Sequence, residues 1–147
     1  MIENFNDNFR ELCLNLKIDE RKFILGLSGG IDSMALLSLL KRFIVSNKSL
    51  KIEVFPVIID HDLRSNSSNE AKAVQDIAIS HGFNTIIKKI IIKKPSGNIQ
   101  NWARKERRRI LCDVAFEFSA NLILGHHVDD LVETIFMRSV KGSGIEG

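Results

Sequence analysis

The 147-residue chain is 44% apolar and 27% charged and carries a formal net charge of +3, the composition of one ordinary globular domain rather than a disordered or cysteine-stapled one. Its apolar runs fall far short of the ~20 residues that span a bilayer, and the start MIENFNDNFR lacks the basic lead and apolar centre of a secretion signal, so no membrane partner and a cytoplasmic location are expected. Cys13 and Cys112 are the only cysteines, which argues against a disulfide or thiolate-metal framework.

In chain order, Phe5, Phe9, Leu12, Cys13 and Leu16 recur at helical spacing and predict a helix over 3–17. FILGL at 23–27 reads as a strand, SGG as a turn, and 32–45 as a second helix. KIEVFPVIID at 51–60 is a second strand in which Pro56 removes a ladder donor and suggests irregular pairing. Ser67 and Glu70 stand in capping-box spacing before a third helix carrying Ala71, Val74, Ile77 and Ala78. NTIIKKIII at 84–92 is a third strand, 98–118 a long helix and NLILG at 121–125 a fourth strand. A last helix is expected from Asp129 or Asp130 to about Val140. Strands alternating with helices imply an α/β fold, a parallel, doubly wound sheet with helices on both faces.

Such a sheet holds its ligands beyond the carboxyl ends of its strands. SGGIDS follows strand one there, Asp60-His61-Asp62 follows strand two, the helix from Asn98 begins at that edge, and HHVDD follows strand four. Gly29 and Gly30 let backbone approach a ligand, the next helix start offers amides to an anion, and Ser28 and Ser33 add hydroxyls. The segment matches neither GxxxxGK[ST] nor GxGxxG, and its residues alone leave a phosphate cradle and a plain turn both open. Asp32 beside a phosphate would require a divalent cation between them; alternatively it serves the helix dipole.

In HHVDD a single cap needs only one of Asp129 and Asp130, and the surplus acid near His126 suggests a magnesium position. On the long helix, Ala103, Arg107, Ile110, Leu111, Val114 and Phe118 share one side, with Arg104 on its border. Arg107 is then a guanidinium in an apolar stripe, and must meet a protein carboxylate or a phosphate. Residues 88–109 hold nine basic residues and one acid, a local +8 that leaves −5 for the rest and suits a polyanion.

SGGIDS resembles the pyrophosphate loop of the N-type ATP pyrophosphatases. IIDHDLR at 58–64, NIQNWARKERR at 98–108, LGHHVDDLVET at 124–134 and MRSVKGSG at 137–144 are, as an ordered set, similar to the tRNA(Ile)-lysidine synthetase family. The resemblance implies a PP-loop domain over 1–147 and a two-step reaction. ATP adenylates the C2 oxygen of the wobble cytidine of tRNA(Ile) with a CAU anticodon, releasing pyrophosphate, and free lysine then displaces AMP. It also implies that Ser28, Gly29, Gly30, Ile31, Asp32 and Ser33, with Asp60 and His61, bind ATP. Asp32 with Asp129 or Asp130 would hold Mg2+, Arg104 and Arg107 would oppose phosphate charge, and His126 and Asp130 would serve the adenylation centre.

The chain departs from the family pattern at Asp62, where Gly is usual, at Arg108 for Tyr, at Leu131 for Gln and at Lys141 for Arg. Family members continue well beyond GSG. The expectation is therefore the front part of a catalytic domain, truncated on its C-terminal side, with weak to moderate ATP binding and little modification of tRNA. An apolar edge left uncovered would favour self-association, for example as a homodimer.

Overall fold

The structure, a computed structural model, describes residues 2–91, 93–128 and 131–138, with side chains over 4–91 and 93–125. Helix α1 (Ile2–Asn15) leads into β1 (Lys22–Gly26), α2 (Ile31–Ser46), β2 (Glu53–Asp60), α3 (Ser67–Ser80), β3 (Ile86–Lys89), α4 (Ile99–Glu117), β4 (Asn121–Val128) and β5 (Leu131–Arg138). The sheet order is β3-β2-β1-β4-β5. β1, β2, β3 and β4 pair in parallel, and β5 runs antiparallel beside β4.

Alternation along the strands builds two cores. Phe23 and Leu25 of β1 and Leu27 just beyond it join Val54, Ile58 and Ile123 beneath α1, α2 and α3, whereas Ile24, Val57, Ile59, Leu122 and Leu124 point the other way and meet Ile110, Leu111, Val114 and Ala115 of α4. This division follows from connection order. The chain steps outward from β1 to β2 to β3 and then returns across them to β4, and right-handed crossovers in opposite directions place their helices on opposite faces. α4 lies close to β1 because Gly26 has no side chain: a Cβ there would fall 2.7 Å from Leu124 Cδ2 and 2.9 Å from Leu111 Cδ1. Leu111 is 1% exposed, and truncating it to alanine would cost about 2–5 kcal/mol through the cavity left behind.

Pro56 causes no irregularity. The Val57 carbonyl accepts from the Leu27 amide on the β1 side, so position 56 faces the β3 side, and pairing with β3 begins only at Val57. The absent N–H therefore leaves no ladder bond unmade.

Two local expectations are corrected. Ser67 and Glu70 form no capping box: α3 has Asn66 as N-cap without a side-chain cap bond, and the Ser67 hydroxyl donates to Asp60 instead. In place of a last helix, Leu131–Arg138 is a strand whose Thr134 pairs with Gly125. Val132, Thr134, Ile135 and Phe136 suit extended backbone, and the β4 edge supplies the ladder partner. Among the described residues no helix is long and apolar enough to cross a membrane.

Candidate functional site

The strand order reverses between β1 and β4, and SGGIDS leaves the carboxyl end of β1 at this switch point. The loop is held from inside. The buried Ser33 hydroxyl donates to the Gly30 carbonyl at 2.9 Å, lies 3.1 Å from the Ser28 hydroxyl, and accepts the Ser28 amide at 3.3 Å. Gly29 has φ of +80°, and a Cβ on it would fall 2.6 Å from Val74 Cγ2 of α3. Both the left-handed backbone and the contact with α3 therefore require glycine. Gly30 is the N-cap of α2 and supplies no capping side chain, so the helix start presents backbone and dipole outward. Ile31 projects from it, 88% exposed, and Asp32 is half-buried in the first turn.

β4 reaches the same point. A Cβ on Gly125 would lie 3.8 Å from Ser33 Cα and 3.9 Å from the Asp32 carbonyl oxygen, which places the backbone leading into His126 against the first turn of α2. The His126 side chain, and Asp129 and Asp130 altogether, lie outside the described residues.

A second group opens on the same edge, beyond β2. Asp60 is 4% exposed, and its carboxylate accepts from the Asp62 amide at 2.9 Å, the Ser67 hydroxyl at 2.7 Å and the Ser68 hydroxyl at 2.6 Å. Burial pushes this carboxyl up, but the three donors, together with the charge of Lys89, more than offset it and leave it below the usual aspartate value. Asp60 thus ties the end of β2 to the start of α3, against which Gly29 rests. The sequence expectation that Asp60 helps bind a nucleotide meets a carboxylate already engaged by three of the chain's own donors. Ser67 and Ser68 carried no motif that pointed to this role; only their place at a helix start did.

His61 and Arg107 face each other across this edge. His61 Nδ1 is buried with no hydrogen-bond partner. Burial, and next the Arg107 guanidinium, lower the imidazole pKa, with Asp60 opposing, so His61 is neutral at pH 7. Arg107 is half-buried and, among the described residues, has neither an ion pair nor a hydrogen bond. Burial and then the Arg104 charge lower its pKa, yet a guanidinium stays protonated near neutrality. A cation held in this way, with no carboxylate opposite among the described residues, has the chemistry to receive an anionic group.

The described residues contain no group of three or more His, Cys, Asp or Glu able to hold a metal ion. Cys13 lies in the α1–α3 core, where burial pushes its thiol up to about 11 against the opposing charge of Arg21, and Cys112 packs beside the other core. The two thiols therefore stand on opposite faces of the sheet.

The family described as the PP-loop domain matches residues 1–147. Among curated relatives, the tRNA(Ile)-lysidine synthase of Orientia tsutsugamushi (strain Boryong) is 39% identical over 127 residues, which cover 86% of this chain and 28% of the relative. That of Streptococcus sanguinis (strain SK36) is 41% identical over 128 residues, covering 85% and 28%. The chain thus spans a little over a quarter of the length of these relatives. The solved structure of the U34-tRNA thiolase NcsA from Methanococcus maripaludis, with its [4Fe-4S] cluster, superposes with a TM-score of 0.62 at 23% identity, covering 74% of this chain and 39% of that one. That likeness is one of fold. From the full-length match, the lysidine synthase relatives and the glycine-shaped loop at the switch point, this chain belongs to the PP-loop family.

Proposed function

We propose that this chain is the ATP-cleaving part of a tRNA(Ile)-lysidine synthase, acting in the cytoplasm. The observation that carries the reading is Arg107, a half-buried cation with no acid partner among the described residues, on the sheet edge where SGGIDS presents a helix start without a side-chain cap. The names of the relatives supply the substrate class.

In this reading the SGGIDS loop, with the backbone amides at the start of α2 and the α2 dipole, holds the pyrophosphate half of ATP, while the Ser28 and Gly30 amides are engaged within the loop. The C2 oxygen of the wobble cytidine attacks the α-phosphorus while the bond from that phosphorus to the bridging oxygen breaks, so negative charge grows on departing pyrophosphate. Arg107, assisted by Arg104, neutralises that growth from a fixed position in a partly dry setting, where its charge acts with little screening. The amine of free lysine then attacks C2 and AMP leaves. His61 is a neutral hydrogen-bonding group at this edge, and His126 serves the adenylation centre.

Magnesium fits the donor chemistry. Asp32 is one half-buried carboxylate in the first turn of α2, and an ion that binds through one or two carboxylates plus substrate phosphates needs no three-ligand protein cage. We assign Asp32, with Asp129 or Asp130, as the groups that would hold it; when bound it supplies charge neutralisation on the phosphates.

The test mixes the protein with Mg-ATP, lysine and a CAU anticodon stem-loop. The proposal expects AMP and pyrophosphate in equal amounts and at low yield from these 147 residues, dependent on cytidine at the wobble position, together with a product heavier by one lysine less water. ADP and inorganic phosphate would reject the ATP-cleavage assignment. A sulfur-bearing product formed only with a sulfur donor would reassign the chain to thiolation.

A further inference from the structure

The nine cations between residues 88 and 109 are not equivalent. Lys89 pairs with Asp62 at 3.2 Å, Lys94 donates to the Asp62 carbonyl, and Arg109 bridges Glu106 at 2.9 Å and Asp113 at 2.8 Å. These three fasten β3, the β2–α3 loop and α4. Lys88, Lys93, Arg104, Lys105, Arg107 and Arg108 have no acid or hydrogen-bond partner among the described residues. Arg107 turns inward on α4. Arg104, Lys105 and Arg108 are exposed, and at 100° per residue they lie within one ~100° arc in the first half of the same helix. Asn101 shares that arc.

Like charges at i,i+3 and i,i+4 repel, and a helix gains nothing for its own stability from such a stripe. The same helix shows that acids can be placed where pairing is wanted, since Glu106 and Asp113 flank Arg109. Cations left unpaired beside an internally neutralised arginine, at the ligand edge of the sheet, suit an extended polyanion rather than a single small anion.

We propose that the outer arc of α4, Lys105 and Arg108 with Arg104 at its inner border, docks the phosphodiester backbone of a structured RNA and so sets a base over the edge where Arg107 lies. The identity of the polyanion rests on the proposed function; the surface rests on α4 alone. Lys105 and Arg108 act by position, holding RNA without touching the reacting atoms.

The experiment measures binding of a fluorescent CAU anticodon stem-loop to the 147-residue chain from 50 to 200 mM salt, and of Mg-ATP in parallel. Lys105→Gln with Arg108→Gln is compared with Lys17→Gln with Lys48→Gln, which removes the same charge from the connections at the opposite end of the sheet. The α4 pair should lower the slope of log K against log salt by about 1.4–1.8. The ratio of wild-type to variant affinity then shrinks roughly tenfold across that salt range, while Mg-ATP binding is unchanged. The control pair should leave the slope within about 0.5 of wild type. Equal losses in both pairs would reduce the effect to overall charge and overturn the proposal, as would an unaltered slope in the α4 pair. Tighter association with phosphatidylserine vesicles than with RNA, lost in the α4 pair, would overturn it in favour of a membrane surface. Absence of Mg-ATP binding in the wild type would instead count against the proposed function while leaving the RNA measurement readable.

Discussion

Replacing Asp60 with asparagine keeps the shape of the side chain and removes its charge, so it isolates what the carboxylate contributes. Three donors at 2.6–2.9 Å converge on it, from Ser68, Ser67 and the Asp62 amide. Hydrogen bonds to a charged acceptor contribute about 1.5–3 kcal/mol and neutral ones about 0.5–1.5, so each bond weakens by about 1 kcal/mol. Three coupled bonds give about 2–3 kcal/mol in all, since losses within one network do not add fully. At ~2–4 °C per kcal/mol for a chain of this size, Asp60→Asn should lower Tm by roughly 4–12 °C at pH 7, read by calorimetry or circular dichroism. The sign of the pH dependence follows from the folded carboxyl lying below its ordinary value. Its contribution is whole above the unfolded pKa of about 3.9 and is lost as pH falls through the folded value, so wild type and variant should differ steadily from pH 5 to 8 and converge below about pH 4. An unchanged Tm at pH 7, or a difference that widens toward acid, would refute the network. Weaker Mg-ATP binding with unchanged Tm would return Asp60 to the ligand.

Gly29→Ala should cost about 2–4 kcal/mol, from left-handed backbone strain and the 2.6 Å approach to Val74 Cγ2; adding Val74→Ala should recover the contact part and not the strain, as a thermal melt of the double variant would record. Arg107→Met should raise stability by about 0.5–2 kcal/mol, because it removes a half-buried cation with no acid partner among the described residues, and should weaken pyrophosphate binding about 10–100-fold by calorimetry. A destabilised variant with normal pyrophosphate affinity would show that Arg107 is a structural residue. At pH 8 only about one in 10³ Cys13 side chains is a thiolate, given a pKa of about 11, so a thiol reagent should modify Cys112 in the native protein and reach Cys13 only on unfolding.

Much of this arrangement was legible in the sequence because its signals are local. The apolar runs at 23–27, 51–60 and 121–125 and the helical periodicity of α1 and α4 gave most of the element order, and that order placed SGGIDS at the carboxyl edge of the sheet. Arg107 was identifiable from periodicity, since one cation interrupted an apolar stripe. What depended on distant partners was not legible. Ser67 and Glu70 have capping-box spacing, but a carboxylate seven residues upstream takes the Ser67 hydroxyl. Leu131–Arg138 is compatible with helical spacing, yet the unpaired side of β4 draws it into the sheet. Pro56 reads as a break, and only the start of β3 pairing at Val57 shows why it is harmless. Asp62 stands where the resembling family has glycine, and the structure accounts for both facts: φ is +50°, which favours glycine, and its carboxylate meets Lys89.

The central claim is that the SGGIDS edge with Arg107 holds the pyrophosphate half of ATP rather than the nucleoside. Calorimetric titration of the chain with Mg-pyrophosphate, Mg-ATP and AMP tests it most directly. The account predicts that ATP and pyrophosphate bind and compete, that AMP binds far more weakly, and that Asp32→Asn removes the magnesium dependence. AMP binding as tightly as ATP, with no heat from pyrophosphate, would contradict it.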